Sequence, residues 1–263
     1  MTENIAFVLP STQTSGGTLV ALKHASVLKN AGMDVLILNE GFSEKDANYL
    51  GESLPVISTQ MTQIHGSFDR AVATLWSTTN FIRLYPAAKQ RSYLVQNFET
   101  NFYEPGHIFR FSANQTYLLK DMKYLTISRW CERWLRDDFG QQPLYIPTGI
   151  ELARFQSKKR VFGNKKVRIL IEGNSDDYYK NVDEAFKIAE KLDLQKYEIW
   201  FMSYQGKPKN WYRVDKFLHR VPYGDVPGVY LQCDILLKTS ILESFSYPPL
   251  EMMATGGYVV AVP

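Results

Sequence analysis

The stretch that decides the fold is residues 5–38, which read IAFVLPSTQTSGGTLVALKHASVLKNAGMDVLIL. It begins and ends with apolar runs of strand length, and Gly16-Gly17 open a segment of helical spacing between them. The predicted helix stops at Gly32, and its predicted inner face consists of Leu19, Val20, His24, Val27, Leu28 and Ala31. A helix between two wholly apolar strands predicts a parallel sheet that is covered on both faces.

The same alternation extends over the rest of the chain. Apolar runs predict further strands at 55–57, 71–75, 93–95, 124–127, 144–146, 167–171, 197–202, 235–237 and 258–262. Helical spacing predicts helices after Ser128 and at 182–192, 226–233 and 249–254. A charged, glycine-containing stretch, residues 151–166, is typical of a domain linker. The sequence therefore predicts two doubly wound α/β domains, residues 1–155 and 160–263.

Composition excludes several classes of function. The 263 residues are 45% hydrophobic and carry a formal net charge of +3 without a block of Lys or Arg, which argues against nucleic-acid binding. We find no signal peptide and no apolar run near the ~20 residues of a membrane span, so we expect a cytoplasmic protein, with at most a loose contact at the inner face of the cell membrane. Cys131 and Cys233 lie far apart and the four histidines share no ligand spacing, so we expect neither a disulfide framework nor a metal site.

The strongest chemical signal is segment 243–260, ESFSYPPLEMMATGGYVV. Glu243 follows a predicted strand, and Glu251 lies in the first turn of the helix predicted to open at Pro249. A helix start offers unpaired backbone N–H groups and a positive dipole end, which suit a diphosphate. A carboxylate on either side can accept hydrogen bonds from the hydroxyls of a sugar or a ribose. One segment is thus predicted to hold ribose, phosphates and sugar together.

This segment resembles the Glu-x7-Glu signature of the retaining glycosyltransferases of family 4, which have the GT-B fold. The resemblance implies that Glu243 contacts the donor sugar and that Glu251 contacts the ribose. The loop between them, Ser244, Phe245 and Ser246, is then expected to bind the donor. The two serines stand where the family has glycine, and they narrow this loop.

Other stretches resemble the same family. Gly16-Gly17 is similar to its glycine pair after the first strand, and residues 146–155 are similar to the segment that enters its interdomain linker. Gly173, Asn174 and Lys180 resemble its phosphate loop, with Lys180 in the place of the family's lysine and Asn174 where the family has arginine. The resemblance implies that Lys180 stabilises the departing diphosphate.

One feature resembles a subgroup. Residues 93–103, YLVQNFETNFY, are similar to a stretch of family members that build rhamnose-containing surface glycans. Polar groups at the carboxyl edge of a parallel strand face bound ligands, so Gln96, Asn97 and Glu99 are predicted to orient an acceptor hydroxyl. The resemblance implies transfer with retention from dTDP-rhamnose or a UDP-hexose to a polysaccharide or glycoconjugate.

The motif that holds a metal ion in glycosyltransferases of the other main fold, Asp-x-Asp, does not occur in the sequence. We therefore expect no metal and no other cofactor, with helix N-termini and Lys180 stabilising the diphosphate. Two alternatives remain: a sugar-nucleotide epimerase, and a non-catalytic subunit of the same fold, which the serines and the missing arginine keep open. Because the sequence ends directly after strand 258–262, we also expect an incomplete second domain and weak transfer activity.

Overall fold

The structure is a computed structural model that describes residues 2–160 and 166–262. The chain divides into two compact units, Met1–Thr148 and Gly149–Pro263. Each unit contains a parallel sheet with helices packed against it, which confirms the predicted doubly wound α/β fold. Part of the predicted linker, residues 161–165, lies outside the described residues. Before it, Phe155 is only 1% exposed and packs in the core of the second unit.

The first unit alternates strands and helices along the chain. Its described helices are α1 (Gly16–Asn30), α2 (Thr78–Leu84), α3 (Ile108–Thr116) and α4 (Arg129–Asp137). Its strands are β1 (Asn4–Leu9), β2 (Asp34–Asn39), β3 (Ala47–Tyr49), β4 (Glu52–Leu54), β5 (Val56–Ser58), β6 (Phe68–Ala73), β7 (Ala88–Val95), β8 (Lys123–Thr126) and β9 (Leu144–Tyr145). A 3-10 turn, Glu99–Phe102, follows β7.

The main sheet of the first unit has the strand order β5-β2-β1-β6-β7-β8-β9, and every neighbouring pair is parallel. The direction of winding reverses between β1 and β6, because β2 and β5 lie on one side of β1 and all later strands lie on the other. In open α/β sheets, ligands bind at the carboxyl ends of the strands at such a switch point. A ligand of the first unit is therefore expected at the loops after β1 and β6.

The second unit repeats this plan with fewer strands. Its described helices are α5 (Val182–Glu190), α6 (Val226–Gln232) and α7 (Tyr247–Ala254). Its strands are β10 (Val167–Glu172), β11 (Tyr197–Ser203), β12 (Lys216–His219), β13 (Ile235–Lys238) and β14 (Tyr258–Ala261). A 3-10 turn, Tyr178–Lys180, precedes α5.

The sheet of the second unit has the parallel order β12-β11-β10-β13-β14, so its winding reverses between β10 and β13. Alternate residues of β10 enter different cores. Ile169 and Ile171 share a cluster with Phe186 of α5, whereas Leu170 shares one with Met252 of α7. Both faces of the sheet are thus covered, which is the physical reason why the centres of its inner strands β10, β11 and β13 are apolar.

The structure corrects the predicted inner face of α1. Val27, which was placed on that face, is 58% exposed, whereas Ala21, Leu22 and Ala25 are buried. The helix turns its small residues inward, because α1 packs against the hairpin β3–β4 as well as against the main sheet. The positions of the bulky residues therefore do not by themselves identify the buried face of α1.

Several elements escape the sequence analysis. The hairpin β3–β4 has strands of three residues, too short for a period of two to be recognised. Helix α3 exposes Ile108, Phe109 and Phe111, so its apolar residues do not identify a buried face. Helix α2 and strand β12 are short, and about half of their residues are polar, so neither shows a clear apolar pattern in the sequence.

Candidate active site

The predicted phosphate loop and the first glutamate meet at the switch point of the second sheet. Gly173 follows β10, and Glu243 follows β13, the neighbouring strand. Gly173 has a φ of +148°, and a Cβ at this position would lie 3.1 Å from Val182 Cγ2 and 3.5 Å from Lys180 Cβ. Glycine therefore lets the chain turn closely over the start of α5, and this turn brings Lys180 to the edge of the sheet.

Lys180 and Glu243 form an ion pair in this structure. The ammonium of Lys180 donates to Glu243 Oε1 at 2.8 Å, and each side chain is 25% exposed. Lys238 Nζ lies 3.7 Å from the same oxygen. Burial by itself would raise the pKa of Glu243, but the positive charges of Lys238 and Lys180 outweigh it and hold this pKa below its ordinary value. Glu243 is thus a charged acceptor at the sheet edge.

Lys238 is a site residue that the sequence analysis missed. It is 5% exposed, and its ammonium is hydrogen-bonded to the carboxylate of Glu172 and lies 3.3 Å from the Glu172 backbone carbonyl. Burial would lower the pKa of Lys238, but Glu172 and Glu243 outweigh it and raise this pKa. The sequence does carry a signal for this pair. Glu172 ends the run ILIE of β10, and Lys238 ends the run ILLK of β13, so each is the one charged residue at the end of an apolar run.

Glu251 is buried more deeply than its predicted role suggests. It is 2% exposed, and its Oε1 accepts a hydrogen bond of 3.0 Å from the hydroxyl of Tyr223. Burial raises the pKa of Glu251 to about 7, although the hydrogen bonds of Tyr223 and Tyr230 oppose the rise. In this structure the carboxyl group is hydrogen-bonded to these two tyrosines. Its contact with a ribose stays a prediction.

The start of α7 differs from the predicted one. The helix begins at Tyr247 rather than Pro249, so Glu251 is its fifth residue and does not lie in the first turn. Pro248 and Pro249 carry no N–H group and remove two of the donors that a helix start normally offers. The dipole of the helix remains, but its backbone offers fewer hydrogen bonds to a diphosphate than we expected.

The loop between the two glutamates is half-buried. The Ser246 hydroxyl is enclosed and has no hydrogen-bond partner among the described residues. The rings of Phe245 and Tyr247 meet edge to face with centroids 5.0 Å apart, while Ser244 lies between Glu243 and this aromatic pair in the chain. Asn174, on the opposite loop, accepts a hydrogen bond from the Asp176 backbone at 3.1 Å. An enclosed hydroxyl without a partner is rare in folded proteins and is a reason to expect a ligand at this loop.

The raised pKa of Glu251 predicts a pH dependence of stability. The native state keeps a proton that the unfolded chain releases above pH 4.5, so stability should fall as the pH rises from 4.5 to about 7. Glu251→Gln stays neutral, and its stability relative to wild type should gain about 3 kcal/mol between these limits. Urea unfolding at pH 4.5 and pH 8 measures this gain. Glu190→Gln on the exposed end of α5 serves as the control, and equal profiles for the two variants would contradict the assignment.

In the first unit, the structure brings two predicted regions together. Gly16 and Gly17 are the first residues of α1, and a Cβ on Gly17 would lie 3.6 Å from the side-chain amide of Gln96. Gln96 Nε2 donates to the backbone carbonyl of Thr74, after β6, at 3.2 Å. Asn97 accepts from the Phe98 backbone at 2.8 Å. The loops after β1, β6 and β7 therefore meet at the switch point of the first sheet.

Glu99 follows β7 as predicted, but its side chain is buried. It is 1% exposed, and its Oε2 accepts hydrogen bonds of 2.6 Å from both the Trp76 backbone and the Tyr93 hydroxyl. Burial raises the pKa of Glu99 to about 8, although these hydrogen bonds oppose the rise. Its carboxyl group ties the loop after β6 to the end of β7 from inside the unit. The contact of Glu99 with an acceptor hydroxyl stays a prediction.

A polar cavity beside the start of α1 was not predicted. Its volume is about 220 Å³, and its lining is rich in hydroxyl, amide and charged groups: Thr12, Thr14, Thr18, Ser43, Lys45, Asp46 and Asn48, with Leu19, Leu22 and Ala47. Such a lining matches the hydrogen-bonding groups of a carbohydrate better than those of an apolar ligand. The cavity lies at the carboxyl ends of β1 and β2.

Residues 2–160 and 166–262 contain no group of three or more His, Cys, Asp or Glu side chains arranged to hold a metal ion. None of the helices in the same ranges is long and apolar enough to cross a bilayer.

Comparisons with known proteins show the fold of the chain. No family model matches the sequence, and no curated protein matches it. Sucrose-phosphate synthase from Thermosynechococcus elongatus superimposes with a TM-score of 0.76 at 12% identity, over 98% of this chain and 81% of that one. HepE from Anabaena, in complex with UDP-glucose, gives 0.74 at 14% identity over 98% and 80%. WaaG, a glycosyltransferase involved in lipopolysaccharide biosynthesis, gives 0.72 at 14% identity over 98% and 80%. The chain therefore has two Rossmann-like domains of the kind found in GT-B glycosyltransferases.

Proposed function

We propose that this chain is a glycosyltransferase that moves a sugar from a nucleotide-diphospho-sugar to a hydroxyl of a glycan or glycoconjugate. The observation that carries the proposal is the Lys180–Glu243 ion pair at the switch point of the second sheet. It supplies a cation for a diphosphate and an acceptor for sugar hydroxyls at the place where α/β sheets bind ligands. The fold of the chain and the enclosed hydroxyl of Ser246 support the same proposal.

The proposed reaction needs positioning and charge stabilisation rather than a protein nucleophile. Glu243 accepts hydrogen bonds from the donor sugar, and Lys180 turns from Glu243 to the diphosphate as negative charge develops on it. The departing phosphate takes the proton of the attacking hydroxyl on the same face of the sugar, which retains the anomeric configuration. The dipole of α7 adds to the stabilisation of this charge.

For the donor we propose a UDP-hexose first and dTDP-rhamnose second. The structures of Anabaena HepE contain UDP-glucose, or UDP and glucose, and they support the UDP-hexose class. The dTDP-rhamnose alternative rests on the resemblance of residues 93–103. On the acceptor side, we propose contacts from Gln96 and Asn97 and from the polar cavity beside α1, whose hydroxyl and amide groups suit a carbohydrate.

The test is a nucleotide-sugar panel by thermal shift, followed by a transfer and hydrolysis assay with each donor that binds. We expect a UDP-hexose to stabilise the protein and to be transferred or slowly hydrolysed. An isomerised donor would identify an epimerase, and binding without turnover would point to a non-catalytic subunit. No binding by any sugar nucleotide would refute the proposal.

Substitutions of Glu243 and of Glu251 are expected to affect the binding of UDP and of UDP-glucose differently. At pH 8, above the raised pKa of Glu251, Glu251→Ala should weaken the binding of UDP and UDP-glucose alike, by roughly 1.5–3 kcal/mol, because a charge-assisted hydrogen bond to the ribose is lost. Glu243→Ala should weaken UDP-glucose far more than UDP, since its predicted partner is the sugar. Titration calorimetry with both ligands measures the four affinities. Equal losses for the two ligands in Glu243→Ala, or unchanged affinities in Glu251→Ala, would contradict these roles.

Metal independence is a further expectation. Because Lys180 and the helix dipole are proposed to stabilise the diphosphate, UDP should bind equally well in EDTA and in Mg²⁺. Titrations under both conditions check this, with the Lys180→Met variant alongside to show that the protein's own cation is what matters. A strict requirement for Mg²⁺ or Mn²⁺ would argue against the proposed mechanism.

A further inference from the structure

Two charged residues end the adjacent strands at the switch point of the second sheet. The parallel register pairs Ile171 of β10 with Leu237 of β13, so the next residues, Glu172 and Lys238, stand side by side at the carboxyl edge. Lys238 is 5% exposed and hydrogen-bonded to Glu172. A lysine is seldom buried so deeply unless it is paired, and this one reaches a second carboxylate as well.

Glu243 therefore has two cations near one oxygen. Lys180 Nζ lies 2.8 Å from Oε1 and Lys238 Nζ lies 3.7 Å from it. The two lysines differ in their surroundings. The side chain of Lys180 is 25% exposed at the end of a 3-10 turn, whereas that of Lys238 is 5% exposed and held on a strand by Glu172. Only Lys180 has room to turn toward a ligand.

This difference matters when an anionic ligand arrives. A carboxylate as enclosed as Glu243 is costly without a counter-charge, and it would take up a proton or turn outward if its only cation left. We propose that Lys238 is a positioning residue, an internal counter-charge that keeps Glu243 ionised and in place when Lys180 turns to a diphosphate. The inference rests on the proposed function, which assigns that turn to Lys180.

The competing explanation is that Lys238 only neutralises Glu172. The two explanations predict different behaviour of the double variant Glu172→Gln/Lys238→Met, which removes the pair without leaving either charge alone. If Lys238 serves Glu172 only, the double variant should leave Glu243 unaffected. If Lys238 also serves Glu243, the double variant should change the titration of Glu243 although the Glu172 pair is gone.

The decisive experiment is a titration of the ligand-free protein, with ¹³C-labelled glutamate and NMR detection of the Glu243 carboxyl carbon. Lys180→Met imitates the departure of Lys180. In this variant we expect Glu243 to remain ionised at neutral pH, because Lys238 is still present. Adding Glu172→Gln/Lys238→Met should raise the pKa of Glu243, since both positive charges that oppose burial are then gone and the hydrogen bond from Ser240 remains to oppose it. Lys180, Lys238 and the Ser240 hydroxyl are the groups that act on Glu243, and Glu172 acts on Lys238.

Identical titrations of Glu243 with and without Lys238 would overturn the inference. If the triple variant does not fold, the comparison is made between wild type and the double variant, where the pKa of Glu243 should still rise. A binding measurement distinguishes the proposed role of Lys238 from the proposed function of the protein. In the double variant, UDP-glucose should bind about tenfold more weakly than in wild type, while UDP changes less. Failure of the wild type to bind either ligand refutes the proposed function, and the titration still decides the role of Lys238.

Discussion

Replacing Lys180 with methionine is expected to lower the rate of sugar transfer by about 10²–10³-fold, because it removes the cation proposed to stabilise the departing diphosphate. Lys180 lies on the segment that follows β10, its side chain is 25% exposed, and its ammonium already lies 2.8 Å from the carboxylate proposed to bind the donor sugar. A group that stabilises charge developing in the transition state affects the catalytic rate more than ground-state binding. The measurement is kcat with a saturating UDP-hexose.

The matched control is Lys187→Met, which removes an exposed lysine from α5 in the same unit; its side chain is 60% exposed. This variant should retain the wild-type rate, since surface substitutions far from a site change little. Lys180→Arg restores a cation of different shape and should recover part of the rate. A Lys180→Met enzyme within about twofold of wild type would rule out the proposed role.

Replacing Lys238 with methionine is expected to destabilise the second unit by about 3–5 kcal/mol. The substitution leaves the carboxylate of Glu172 without its partner at the sheet edge, and breaking a buried pair from one side usually costs this much. Most of the loss should be absent from Glu172→Gln/Lys238→Met, because replacing both partners leaves no unpaired charge. Urea unfolding of the three proteins gives the free energies.

Lys187→Met again provides the control. Lys187 is an exposed lysine of α5 in the same unit, and its loss should change stability by no more than about 0.5 kcal/mol. If Lys238→Met proved as stable as this control, the ion pair with Glu172 would not contribute to the stability of the second unit. Equal instability of the single and double variants would instead indicate that packing of the lysine stem, rather than its charge, stabilises the sheet.

The sequence by itself determined the fold class of this protein. Residues 5–9, IAFVL, are apolar throughout, and residues 169–171 form the apolar centre of β10; such runs, alternating with helical segments, are typical of a parallel sheet covered on both faces. Ser128 was correctly predicted to begin a helix, because its hydroxyl caps the Cys131 backbone at 3.1 Å. These features are local in the chain, so they can be recognised without knowing what packs against them.

The sequence also predicted a site at Lys180 and Glu243, and the structure brings these two residues into contact although 63 positions separate them. What it did not determine was the surroundings of each group. The burial of Glu99 and Glu251, and hence their raised pKa values, depends on tyrosines that the fold places around them. Helix α7 begins at Tyr247, two residues before the predicted start, with Pro248 in its first turn.

Lys238 and Glu172 illustrate what only the tertiary structure decided. Each stands alone in the sequence as the charged end of an apolar strand, and nothing local says which partner it will meet. The strand order β10-β13 joins them across 66 positions and sets Lys238 beside Glu243. Sheet order depends on the crossovers of the whole unit, whereas sequence patterns report the faces of single elements, and for this reason the counter-charge of the site became visible only in three dimensions.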